Sequence, residues 1–228
     1  MPLVMYWHME RARITEIRIS PAEIDEEHPY SLCNWIELYV GTAIRDAAYL
    51  AEELPDGTAD FYDVMRYYGE WNNGGHQSCW DIGDELEAWP RASRFFGRLG
   101  LHDRKALIDD FTRFLIANEE WLIDLYEAEE EETARALFYP FDDRFWEIEN
   151  RDGKLAQTLY RWLRAQPWLV IDPAAPPLTM QRIRDAIPAH PQAQARKEAA
   201  ARRNLAEHGG AALAGIQRLR DFLQDRNG

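Results

Sequence analysis

His76 and Cys79 stand three residues apart, and with Cys33 and His102 they are the side chains whose types best suit a metal ion. A metal needs three or four convergent ligands, so one His and one Cys at i and i+3 supply half a site, and Cys33 and His102 would have to join them in space. A partly buried core histidine and an inert thiol are the plainer reading. Asp142 and Asp143 form the kind of carboxylate pair used in acid–base hydrolysis, but a chain with 40 Asp and Glu produces such pairs by chance. A phosphate-cradling glycine loop, a serine elbow and a His-Glu-x-x-His helix do not occur. The chain therefore reads as non-enzymatic, with no cofactor or metal expected. A carboxylate-dependent or metal-dependent hydrolase is the alternative.

A different pattern is more extended. Glu120, Asp124, Glu127 and Glu131 are spaced four, three and four, so a helix would set one carboxylate on each turn of about 5.4 Å. Glu129, Glu130, Glu131 and Glu132 continue the run. Like charges at this spacing cost a helix roughly 0.2–0.5 kcal/mol per pair. One reading is a solvated, solubilising face. The other is negative charge laid out for a basic protein, since duplex DNA presents about one charge per 1.7 Å of axis and its readers place Lys and Arg to match. With Asp142 and Asp143 these residues are the candidate acidic surface.

The elements that must carry that surface are helical. Ile36, Tyr39, Val40, Ala43, Ile44, Ala47 and Leu50 recur at three and four, predicting a helix from Ser31 to Leu54, stopped by Pro55-Asp56-Gly57. Thr58 is the expected cap of the next helix, and Asp84 to Phe96 reads as another, with Pro90 marking a kink or boundary. Asp103 is the expected cap of a long helix whose Leu107, Phe111, Phe114, Leu115, Leu122 and Leu125 share one face. Pro140 breaks that pattern, and Asp142 to Trp168 supplies further helices. Ile17 and Ile19 alternate as a short strand, and Ser20-Pro21 caps a short helix over Ala22 to Glu27.

Net charge is −14, from 40 acidic and 26 basic residues, which disfavours nucleic acid and anionic membrane and favours a basic partner. The charge is uneven. Residues 173–228 hold nine Lys and Arg against five Asp and Glu, so residues 1–172 hold 17 against 35. Pro173-Ala174-Ala175-Pro176-Pro177 reads as a stiff linker to this basic, Ala-rich tail, with helices expected over Thr179–Ile187, Gln192–His208 and Ala211–Gln224. The expected division is an N-terminal segment 1–19, an acidic helical domain 20–172 and the tail 173–228. Two cysteines make no disulfide framework, the N-terminus lacks the pattern of a secretory signal, and no apolar run approaches the 18–20 residues of a membrane span. A cytoplasmic protein is expected.

The turn between two helical patterns, Glu70-Trp71-Asn72-Asn73-Gly74-Gly75-His76-Gln77-Ser78-Cys79-Trp80, offers four successive residues that tolerate positive φ, flanked by tryptophans suited to pin it into a core. Its Asn-Asn-Gly-Gly, then Gln77, then Trp80, resembles the Asn-Gly-Gly corner of the DNA-mimic protein family. Asp142-Asp143-Arg144-Phe145-Trp146 and the segment Leu155 to Trp168 resemble that family's closing Asp-x-x-Phe-aromatic stretch and last helix, so the resemblance spans about 35–172. His76 and Cys79 depart from it, standing where aromatics are common. The resemblance implies an all-α, acidic, bacterial protein that binds a helix-turn-helix transcription factor over its DNA-binding surface, with a homodimer as the implied assembly. An immunity protein that neutralises a cognate bacterial toxin is the alternative it also implies.

Overall fold

The structure is a computed structural model, and it describes residues 12–81, 88–128 and 130–202. The fold is all-α. Its helices are α1 (Pro29–Arg45), α2 (Thr58–Asp81), α3 (Ala88–Arg98), α4 (His102–Glu127), α5 (Glu131–Ala136), α6 (Tyr139–Asp152), α7 (Leu155–Arg164) and α8 (Met180–Ala186), with a further helical stretch over 193–202. Helix α3 packs between α2 and α4, α1 lies against α2 and α7, and α6 closes over α4 and α2. The apolar stripe of α4 is the core stripe: Leu107, Ile108, Phe111, Leu115 and Leu122 are all buried.

The strand expected near Ile17 forms as β1 (Ile17–Ile19), and its partner is β2 (Leu169–Ile171), paired in parallel with Ile17 opposite Leu169. A parallel pair needs a long crossover, and here that crossover is the entire helical body. Ser20 caps as expected, its hydroxyl accepting from Ala22 N at 3.3 Å, but the turn that follows is a 3-10 helix over Pro21–Glu23 only.

Two boundaries differ from the periodicity. Helix α1 ends at Arg45 instead of Leu54 because Ala48 turns to positive φ (59°), after which Tyr49 N donates back to Ala43 O. Leu50 is then left exposed, off the helical stripe to which it was assigned. Thr58 opens α2, but its hydroxyl donates to Pro55 O instead of accepting from the helix. For the helix expected over Asp84–Phe96, residues 82–87 lie outside the described residues, and Pro90 lies within the described helix α3.

The chain past Pro173 returns to the body. Leu178 N donates to Glu23 Oε1 at 2.6 Å, Thr179 caps α8, and Ile183 of α8 is buried against α1. Arg196 forks onto the buried Glu53 at 2.6 and 2.8 Å, and that pairing draws the Glu53 carboxyl down to about 2. Leu205, Leu213, Ile216, Leu219 and Phe222, expected as the packing stripe of the last helices, lie outside the described residues. Among the described residues no helix is long and apolar enough to cross a membrane.

Candidate functional site

The Asn-Asn-Gly-Gly stretch kinks α2. Gly74 is extended (φ −164°), and only Gly75 uses positive φ (72°), so two glycines do what four permissive residues were expected to share. Gly75 is required twice over: a Cβ there would also lie 2.6 Å from Asp142 Oδ2 and 2.8 Å from Oδ1. A kink frees backbone donors, and His76 N finds Asp142 Oδ1 at 2.8 Å. The same oxygen takes His76 Nδ1 at 2.6 Å and Trp71 Nε1 at 3.1 Å. Asn72 Nδ2 donates to Tyr68 O one turn back. Trp71 is buried and stacks on Phe145 at 3.6 Å between centroids, so α6 and the kink are clasped by a ring pair and a carboxylate together. Trp80 packs, half-buried, against Phe138.

Asp142 therefore departs from its expected place on an open acidic face. It holds the corner. His76 is fully buried, and its Nε2 meets the hydroxyl of Tyr67, itself buried, at 2.8 Å. Neutral His76 with its proton on Nδ1 satisfies all three groups, donating to Asp142 and accepting from Tyr67. Burial holds its pKa below the ordinary value, against the Asp142 carboxylate, which pulls it up. An Asp-His-Tyr chain suggests a catalytic relay, but both imidazole nitrogens are occupied inside the core and neither faces solvent. Cys79 is buried with its Sγ 3.7 Å from Tyr67 O, Cys33 is buried with its thiol pushed up to about 12, and His102 opens α4. Among the described residues no three His, Cys, Asp or Glu side chains are grouped to hold a metal.

The two halves of α4 treat charge differently. In the first, Asp103 pairs with Arg151, Asp109 with Lys105, and Asp110 with both Arg113 and Arg144, which lowers the Asp110 pKa. In the second, Glu120 and Asp124 are exposed and neither makes an ion pair among the described residues; the same holds for Glu130 before α5 and for Asp143 on α6. Exposed among these carboxylates are Ile116 (66%), Trp121 (46%) and Ile123 (46%), large apolar side chains that periodicity alone did not single out. Glu129 and the side chains of Glu127 and Glu131 lie outside the described residues.

Helix α5 joins the acidic run to the corner. Glu132 accepts from the Tyr139 hydroxyl at 3.3 Å, and Arg135 Nε donates to Gln77 Oε1 at 3.1 Å. Tyr139 and Trp146 remain exposed beside the kink. Sequence reasoning quoted Trp146 only for its place in a motif and missed Tyr67, Arg135 and Tyr139. Their partners lie 9, 58 and 7 residues away, and no local spacing announces such pairs.

Fold and surface together define an acidic, all-α protein with a tightly bonded aromatic corner and a negative helix face whose Glu120 and Asp124 make no ion pair among the described residues. Residues 52–166 match the model of the DMP19-like protein family, half of the chain, and the chain belongs to that family. The matched span lies within the 35–172 expected from the motifs. No curated protein and no solved structure matches the chain.

Proposed function

We propose that the protein is a non-enzymatic binding module that occupies the basic surface of a DNA-binding protein, as a DNA mimic does, and that it regulates transcription in the cytoplasm of its cell. The observation that carries this reading is the change of charge compensation along α4, from Asp103, Asp109 and Asp110, each paired, to Glu120 and Asp124, each open. Carboxylates one helical turn apart sit about 6 Å from each other, and with no ion pair among the described residues they are open to cations from outside. Exposed Ile116, Trp121 and Ile123 among them supply the apolar anchors that a protein interface needs and that a purely solvating face has no use for. Membership of the DMP19-like family, a family of DNA mimics, supports the same reading.

The experiment is capture of partners from the cell of origin by the immobilised protein at low salt, followed by elution with duplex DNA. A DNA-binding protein released by DNA, and lost with Glu120→Gln/Asp124→Asn, is the expected result. Recovery of the same proteins by both forms, or indifference to DNA, would overturn the proposal.

A further inference from the structure

A cleft of about 630 Å³ opens beside the kink of α2, with Asp142 at its floor and the rings of Trp146 and Tyr139 on its walls. We propose that this cleft takes one arginine side chain of the basic partner, the guanidinium bonding to Asp142 Oδ2 and lying against the exposed Trp146 and Tyr139 rings. The inference rests on the binding role proposed above and assigns that role a specific anchor.

The carboxylate is built for an outside cation. Three donors share Oδ1, namely His76 N, His76 Nδ1 and Trp71 Nε1, and no hydrogen bond or ion pair reaches Oδ2 from the described residues. The side chain is about a quarter exposed. Its position is set from behind: His76 is tied to Tyr67 in the core, Trp71 is stacked on Phe145, and Gly75 alone admits the carboxylate so close to the backbone. A carboxylate held this rigidly loses little freedom on binding, so a charge-assisted bond to it costs less to form than one to a mobile surface Glu.

The walls complete the recognition. Trp146 is 56% exposed and Tyr139 45% exposed, and Trp146 is braced edge-on by Trp71 at 4.8 Å. Two such faces beside a carboxylate favour a flat, weakly hydrated guanidinium over the compact, strongly hydrated ammonium of lysine. Arg135, the one cation at the rim among the described residues, is turned to Gln77 at 3.1 Å and makes no ion pair with Asp142. Arg135 therefore opposes an incoming cation, and its removal should tighten binding while loss of an aromatic wall should weaken it.

The test titrates the full-length protein with N-acetylarginine amide and follows the Trp71 indole N–H and the His76 backbone N–H by NMR, since both donate to Asp142. Saturable shifts of both signals are expected, with roughly 3- to 10-fold weaker binding in Trp146→Ala and in Tyr139→Ala, tighter binding in Arg135→Gln, and weaker binding of the matching lysine amide. These variants alter exposed side chains, so the bonds holding Asp142 persist. No saturable shift, equal shifts with the uncharged urea analogue of the probe, or equal binding by wild type and Trp146→Ala would overturn the inference. If partner capture still depends on Glu120 and Asp124 in that event, the anchor fails and the binding role stands. Loss of that dependence with the arginine probe still bound would show the opposite.

Discussion

The first half of α4 and its second half are one continuous helix with similar residues and opposite fates. From His102 to Leu115 every carboxylate has a cation of this chain beside it, and Arg104 is buried with Glu149 at 2.9 Å, beneath the turn that starts α7. From Ile116 to Glu127 Leu122 and Leu125 are the buried side chains among the described residues, while Glu120 and Asp124 are left to solvent with Ile116, Trp121 and Ile123. Acidic composition alone therefore does not make a binding surface. Ten positions separate Asp110 from Glu120, and the inner carboxylates meet cations of α4 itself, Lys105 and Arg113, and of α6, Arg144 and Arg151.

The comparison can be broken first at its buried end. Arg104→Met leaves Glu149 charged and unpaired in the core, and chemical denaturation is expected to show a loss of about 3–5 kcal/mol. A smaller loss belongs to the corner that sets Asp142 apart from the open acids. Gly75→Ala forces a side chain into positive φ against that carboxylate, at a cost of about 1–3 kcal/mol before the clash is counted.

Acid should also separate the two regions. Because burial depresses the His76 pKa in the folded state, the unfolded chain takes the proton first as pH falls. The stability linked to His76 is then complete above about pH 6.5 and is lost as pH drops through the lower folded value. Denaturation midpoints at pH 7.5 and 5.5 are expected to fall further apart in wild type than in His76→Gln, which starts less stable but has no proton to take up there. Smallest is the effect of Glu120→Gln/Asp124→Asn, which removes the like-charge spacings Glu120/Asp124 and Asp124/Glu127 and should change stability by no more than about 1 kcal/mol, in the stabilising direction if at all.

Much of this was readable from the residues in order. Three-and-four periodicity placed α1, α2 and α4 and the core stripe of α4, and the Gly-Gly pair placed the bend in α2. What escaped has a common cause. Ala48 at positive φ carries no sequence signal, so α1 was drawn too long. Leu169-Val170-Ile171 becomes a strand because β1 lies beside it, 152 residues earlier in register, and three apolar residues alone do not announce that. Asp142 counted as one more surface acid because its partners, Trp71 and His76, are brought to it by the packing of α6 on α2. Ile116 and Ile123 fall off the core stripe and look unremarkable in sequence; their exposure beside unpaired carboxylates is visible only in three dimensions.

The most direct test is the rate at which the protein associates with its captured DNA-binding partner as salt rises, compared with Glu120→Gln/Asp124→Asn. Charge steering is screened beyond about 8 Å at physiological ionic strength. The account expects a steep fall in rate between low and physiological salt for the wild type, and a slower, flatter dependence for the variant. Equal rates and equal salt slopes for the two proteins would contradict it, and would leave the outer half of α4 as a face that only meets water.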